Sequence, residues 1–176
     1  IDAKNAFNMV DRPTFMHAVN SQCPSISKWV HFIYSSNPHL FIGEDVRINS
    51  KTGTQQGDPL AMLLFCLCIH RLIKEIENTF KPLGNFWFAD DGSLIADVTT
   101  AGLIAKYLID KGPDFGFFLS PTKCEVWWPT PDISAWKSNF PETFIFNTSS
   151  GTPLLGSIIG DAEAAELHAG KIVDKV

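Results

Sequence analysis

The sequence predicts an α+β fold built around an antiparallel sheet. Three observations point to it. Short apolar segments pair off around turn residues, as hairpins do. Those pairs are interspersed with stretches of helical periodicity, a mixture that favours α+β over a parallel α/β architecture. The 176 residues are 45% hydrophobic and 19% charged, so there is enough apolar side chain for a real core and too much for a disordered chain. No internal repeat or low-complexity tract interrupts the pattern, and the length suits one compact domain.

The elements follow in order. Asp11-Arg12-Pro13 reads as a helix start, with proline where its missing N–H does no harm. A second helix is expected from Ser25 through Tyr34, because Trp29, Val30, Ile33 and Tyr34 recur at helical spacing. Ser35-Ser36-Asn37-Pro38 ends it. His39 to Ile42 and Val46 to Asn49 read as two strands around Gly43-Glu44-Asp45. After the polar loop Thr52 to Gly57, Asp58 as N-cap and Pro59 at the first helical position open the longest helix, through about Thr79. Its first half is apolar all round and is expected to be buried. Asn85 to Ala89 and Ser93 to Ala96 form the next hairpin. Thr99 or Thr100 caps a helix that runs to Asp110 and is broken by Gly112-Pro113-Asp114. Lys123 to Trp128 reads as a strand, and Pro129 to Pro141 as a connection. Thr143 to Phe146 and Pro153 to Ile159 are the last strand candidates, and a helix from Asp161 to Val173 closes the order.

Bulk properties narrow the function classes. The longest apolar run, Leu60 to Ile69, is well short of the roughly 18 residues of a membrane span. No signal peptide is visible, so an intracellular setting, cytoplasmic or nuclear, is expected. The chain opens on Ile1 rather than Met and reads as cut from something longer. A net charge of −5 weighs mildly against a stand-alone nucleic-acid binder, which carries a basic face. Cys23, Cys66, Cys68 and Cys124 form no C-x-x-C pair and are read as small buried hydrophobes in a reducing compartment; Cys66 and Cys68 must face different sides of their helix.

Two places carry candidate chemistry. Phe88-Ala89-Asp90-Asp91-Gly92 puts adjacent carboxylates at the turn of an apolar hairpin. Taken alone, Asp-Gly is a common hairpin turn because it tolerates positive φ. Yet two neighbouring carboxylates repel, and acids at the tip of a buried hairpin invite a cation. Upstream, Asp2 in Ile1-Asp2-Ala3-Lys4-Asn5-Ala6-Phe7 fits a strand turning into a helix, where an aspartate is ordinarily an N-cap or an Asx turn. Carboxylates from two separate strands can together hold two magnesium ions, the arrangement a nucleotidyl transfer uses at its attacking and leaving oxygens.

Five segments in order then resemble a known family. Asp2-x-x-Asn5-Ala6-Phe7, Gln56-Gly57-Asp58-Pro59-Leu60, Phe88-Ala89-Asp90-Asp91, Gly116 to Lys123, and Leu155-Gly156-Ser157-Ile158-Ile159-Gly160 resemble the palm of reverse transcriptases, most closely those of non-LTR, LINE-like retrotransposons. The resemblance implies a polymerase palm over residues 1–160, an antiparallel sheet with helices on one face, and a C-terminal helix at 161–176 that begins a connection or thumb. It implies RNA-directed DNA synthesis on an RNA template and a DNA primer with dNTPs, and two Mg2+ ions for which Mn2+ can substitute. Asp2 and Asp90 would bridge the metals, with Asp91 supporting the site or the primer end. Phe7, five residues after Asp2, would abut the sugar 2′-carbon and exclude ribonucleotides; a core phenylalanine is the plain alternative. Gln56 and Gly57 would pack against the incoming nucleotide and templating base unless they form an ordinary loop before a helix, Lys123 would protonate the leaving pyrophosphate unless it is simply a solvated lysine, and Gly156 would grip the primer end unless it only forms a turn.

The chain also departs from a complete enzyme of that family. Because the segment opens one residue before Asp2 and has only sixteen residues after Gly160, it is expected to lack the fingers and a thumb of full length, and to be inactive by itself. Two other readings stay open: a non-catalytic remnant or interaction module, and the palm of an RNA-directed RNA polymerase, which Phe7 and Ala89 disfavour.

Overall fold

In the computed structural model the N-terminal residues form the middle of a sheet rather than a free end. The structure describes residues 1–43, 46–55, 57–130 and 132–173. Gln56, the expected turn residues Glu44 and Asp45, Pro131 of the expected connection, and residues 174–176 of the expected C-terminal helix lie outside the described residues. The chain divides into two compact units, Ile1–Ser120 and Pro121–Val176.

The first unit begins with residues 1–3, where Ala3 makes an isolated bridge, then a turn at Lys4-Asn5 and a single helical turn, α1 (Ala6–Met9). Helix α2 (Arg12–Gln22) starts where the Asp11 side chain accepts from Thr14 N at 2.8 Å, with Pro13 in its first turn. Helix α3 (Pro24–Tyr34) follows at once and packs on α2. The hairpin β1 (His39–Ile42) and β2 (Val46–Asn49) has the expected bounds and an antiparallel register of Ile42 with Val46 and His39 with Asn49.

Helix α4 (Ala61–Phe80) starts later than expected. Asp58 does not cap it. Its carboxylate accepts from Leu60 N at 2.8 Å and its carbonyl from Ala61 N at 3.0 Å, so Asp58-Pro59-Leu60 is a turn that feeds the helix. Nor is the first half buried all round. Leu64, Phe65, Cys68, Ile69, Leu72 and Ile76 form one buried stripe, while Met62 and Leu63 lie exposed on the other side.

The hairpin β3 (Gly84–Phe88) and β4 (Asp91–Ile95) turns through Ala89 and Asp90. Helix α5 (Val98–Lys111) is capped by Asp97, whose carboxylate accepts from Thr99 N and Thr100 N, rather than by either threonine. A 3₁₀ turn at Gly112–Phe115 ends it. Gly116 then passes so close to α1 that a Cβ would sit 2.1 Å from the Met9 carbonyl oxygen; its φ of +70° also favours glycine.

Backbone hydrogen bonds extend the second hairpin across the molecule. Ile1 N donates to Gly92 O at 2.8 Å and Gly92 N to Ile1 O at 3.1 Å, a mutual exchange found only in antiparallel pairs. On its other side, Lys4 N donates to Phe118 O and Ser120 N to Asp2 O, with Ala3 bridged antiparallel to Leu119. The order is therefore β3, β4, residues 1–4, residues 118–120. The core beneath it joins Val10, Phe15, Leu64, Phe65, Leu108 and Phe117.

The second unit contains β5 (Glu125–Trp127), a 3₁₀ turn at Lys137–Asn139, β6 (Ile145–Asn147), β7 (Gly151–Leu154), β8 (Ser157–Gly160) and α6 (Ala162–Val173). β5 and β6 pair in parallel, against the antiparallel expectation. The apolar stretch from Pro153 to Ile159 is not one strand but parts of two, turned at Leu155-Gly156, where φ is +48° and +82° as a type I′ turn requires. Trp136, Phe140 and Phe144 are buried together here, edge-on to Trp128 and Phe146.

Candidate active site

The strand register decides how the acidic residues meet. Since Ile1 and Gly92 form a hydrogen-bonded antiparallel pair, the next position along each strand sets Asp2 opposite Asp91. Residues so opposed hold their Cβ atoms about 5 Å apart on one face of the sheet. Asp91 is thus the first residue of β4, paired with Phe88 on its other side, and not part of the turn. Asp90 occupies the second turn position, beside this pair. Asp2 is half-buried, and its Oδ1 is shut off from solvent; Asp90 is half-buried and Asp91 exposed.

The turn itself is strained. Ala89 has a φ of +53° while Asp90 does not take a positive φ. A two-residue hairpin with that pattern favours glycine at the first position. An alanine there costs on the order of 1–2 kcal/mol, and strain of this kind concentrates at functional sites. The hairpin is less buried than its apolar sequence suggests, with Phe86 and Phe88 at 62% and 67% exposure. Strand alternation explains this: Trp87 points to the other face, where it packs edge-on against Phe117 at 5.7 Å.

Phe7 leaves α1 with its ring stacked on the buried Phe65 of α4, centroids 4.7 Å apart, and remains half-buried. Its carbonyl accepts from Thr54 N at 2.7 Å and from Thr54 Oγ1 at 3.2 Å. The loop before α4 is therefore laced to α1. Gly53 N donates to Val10 O, and Thr52 Oγ1 to Asn8 O. Gly53 has a φ of +72°, and a Cβ on it would lie 2.3 Å from the Asn8 carbonyl carbon, so only glycine fits between loop and helix. Gly57 is exposed, with a φ of +88° and open space around it. Gln56 lies outside the described residues.

Three residues hold this loop that motif reading did not single out as site residues: Arg12, Tyr34 and Thr54. Arg12 is 4% exposed, the Tyr34 hydroxyl donates to the Asp58 carboxylate, and Gln55 N donates to that hydroxyl at 3.2 Å. Burial, and then the hydrogen bond to Asp58, push the Tyr34 phenol up to about 12. Burial likewise lowers the Arg12 guanidinium from its ordinary value. Spacing carries a signal for Arg12: it shares a helix face with Phe15 and Val19, three and seven residues on, which makes it a charge on the core side.

Lys123 and Gly156 both belong to the second unit, and both are exposed. Lys123 precedes β5, and Gly156 forms the β7–β8 turn. The cysteine expectation holds only in part: Cys68 and Cys124 are buried, Cys23 is half-buried and Cys66 is exposed, as the two-residue spacing of Cys66 and Cys68 requires.

Among the described residues no three His, Cys, Asp or Glu side chains gather as a metal-binding group. The donors available at the strand pair are hard carboxylate oxygens. They fit magnesium, which takes one or two protein carboxylates and completes its shell with substrate phosphates and water.

The reverse transcriptase (RNA-dependent DNA polymerase) family model matches residues 1–158. The chain belongs to that family, whose members are nucleotidyltransferases that copy an RNA template from a primer. No curated protein matches the chain. Among the described residues no helix is long and apolar enough to cross a membrane.

Proposed function

We propose that residues 1–160 form the palm of a non-LTR, LINE-like reverse transcriptase that adds dNTPs to a primer 3′-OH by two-metal transfer. The observation that supports this most directly is the exchange between Ile1 and Gly92, because it sets Asp2 facing Asp91 with Asp90 at the adjoining tip. In this reading Asp2 and Asp90 hold the two magnesium ions and Asp91 supports the site or the primer end. When bound, such ions lower the pKa of the primer hydroxyl and neutralise charge on the departing pyrophosphate. Phe7 closes the space beside the sugar 2′-carbon, Gln56 and Gly57 back the nucleotide, Lys123 donates a proton to the leaving group, and Gly156 turns at the primer end.

Primer extension on an RNA template tests this, using the complete polymerase that carries these residues beside its Asp90→Asn variant. The expected result is magnesium-dependent deoxynucleotide incorporation that the variant loses by at least about a thousandfold. No incorporation by the folded parent would sink the proposal in favour of a non-catalytic domain. Preferential use of ribonucleotides would favour an RNA polymerase.

A further inference from the structure

Arg12 is the most fully buried charged side chain among the described residues of the first unit, and it sits next to the candidate nucleotide site without belonging to any of the motifs there. Its guanidinium is spent on one stretch of backbone. Nε donates to Gly53 O at 2.9 Å, one terminal nitrogen to Ser50 O at 2.7 Å, and the other to Ser50 Oγ at 2.8 Å and Thr52 O at 3.2 Å. The Tyr34 ring covers it, 5.3 Å from centroid to guanidinium carbon. A planar fork fixes donors in several directions at once, whereas a lysine ammonium is a compact point charge that cannot span the same spread of acceptors. The held segment is the one that delivers Gly53 against Asn8 and Thr54 onto the Phe7 carbonyl.

We propose that Arg12 is a positioning residue for sugar selection: by fixing residues 50–53 it keeps Thr54 on the Phe7 carbonyl, and so keeps the Phe7 ring where it excludes a ribose 2′-hydroxyl. This rests on the polymerase reading above and adds a specificity-determining residue to it. Phe7 has two supports. Phe65 holds the ring from below, and the Arg12-held loop holds the backbone from the side. Loss of the second lets α1 shift without touching the carboxylates, so the nucleotide site loosens while the chemistry survives. The expected signature is therefore a change in KM and in discrimination, not in kcat.

The experiment measures single-nucleotide incorporation of a dNTP and the matching rNTP by the complete polymerase, for the unsubstituted chain, Arg12→Gln, Arg12→Lys and Thr54→Val. In Arg12→Gln the dNTP-over-rNTP preference should fall by about tenfold, mainly through a lower rNTP KM, with kcat changed by less than about threefold. Arg12→Lys should not restore the preference, since its charge is kept but the fork is lost. Thr54→Val keeps shape and backbone donor and removes one hydroxyl donor to Phe7, so it should shift the preference in the same direction by about two- to threefold. It decides the question if Arg12→Gln does not fold. An unchanged preference in a folded Arg12→Gln, full rescue by lysine, or loss confined to kcat would overturn the inference while leaving the polymerase reading intact. A parent that incorporates nothing would sink the polymerase reading, and this inference with it.

Discussion

Asp2 faces Asp91 across adjacent antiparallel strands, because Ile1 and Gly92, one position away on each strand, exchange both of their backbone hydrogen bonds. Like charges directly opposite on a sheet are destabilising by a few tenths of a kcal/mol to about 1 kcal/mol. A polymerase that needs them there carries that cost until a cation arrives. Asp91→Asn should therefore raise the melting temperature in chelator by about 1–3 °C. Magnesium should then stabilise the unsubstituted chain more than it stabilises the variant. Thermal denaturation in chelator and in magnesium checks both halves. A variant less stable than the parent in chelator would show that the facing carboxylates do not repel.

Phe65 and Phe7 are stacked but unequal. Phe65 is fully buried in the α4 stripe and Phe7 only half so. Phe65→Ala should cost about 3–5 kcal/mol, the usual range for truncating a buried phenylalanine. Phe7→Ala should cost clearly less, since part of its ring is already in water, while relaxing the choice between deoxy- and ribonucleotides. Urea unfolding gives the first comparison and incorporation of a single rNTP the second. Equal stability losses would mean that Phe7 is a core residue and nothing more.

Much of this was legible in the sequence, for physical reasons that can be named. The β1–β2 hairpin is legible to its ends because two short apolar segments flanking a glycine turn are a local signal. The two-residue spacing of Cys66 and Cys68 fixed opposite faces of α4. What failed was non-local or competitive. Asp97 outcompetes Thr99 and Thr100 as a cap because it accepts from both of their N–H groups. Asp91 reads as a turn residue beside Gly92 until the register shows Ala89 and Asp90 making the turn. The pairing of residues 1–4 with both β4 and residues 118–120 spans most of the first unit, and no window of sequence contains it. Arg12 reads only as part of a helix start, because its partners, Ser50 and Gly53, lie 38 and 41 residues away.

Both tyrosines of the chain titrate late. Tyr34 is pushed up to about 12 by burial and by its hydrogen bond to Asp58, and Tyr107 to about 12 by its bond to Glu75 at 2.7 Å and by burial. A phenol whose folded pKa exceeds its unfolded value of about 10 contributes stability that is complete below pH 10. That stability is lost as pH rises from about 10 toward 12, where the unfolded chain has given up its protons and the folded one has not. Glu75 acts at the other end. Its bond to Tyr107 lowers its pKa, so its contribution is present at neutral pH and disappears as pH falls through the acid range. Denaturant midpoints measured against pH should show a decline above pH 10 that Tyr34→Phe and Tyr107→Phe each make shallower, and Tyr107→Phe alone should also soften the acid limb. An alkaline decline unaltered by either variant would contradict these assignments.

Thiol accessibility separates the cysteines. Burial drives the Cys68 thiol up to about 12, and its Sγ lies 3.2 Å from the Phe115 carbonyl. Partial desolvation also raises Cys66, but that side chain is exposed. Reactivity follows thiolate fraction and access together. Alkylation of the native chain near neutral pH, followed by mass spectrometry, should label Cys23 and Cys66 slowly and leave Cys68 and Cys124 unmodified until denaturant is added. Early labelling of Cys68 would mean that α4 does not pack on the 3₁₀ turn at Gly112–Phe115 in solution.

Gly53 and Gly57 have similar backbone angles and different surroundings, so the same substitution should part them. Alanine at Gly57 meets nothing within 4 Å and suffers only its positive φ, a cost on the order of 1–2 kcal/mol. Alanine at Gly53 suffers that and also drives its methyl to within 2.3–2.5 Å of three Asn8 backbone atoms, which no side-chain rotation can relieve. The loop must then leave α1, taking with it the Gly53 carbonyl that Arg12 needs and the Thr54 donors on Phe7. Gly53→Ala should therefore lose at least about 3 kcal/mol of stability, the scale of a buried charged hydrogen-bonded group left without its partners. Amide exchange at Gly53 and Thr54 should accelerate well before global unfolding. Gly57→Ala should leave those two amides protected. Equal protection in the two variants would show that residues 52–54 are not clamped between Arg12 and α1.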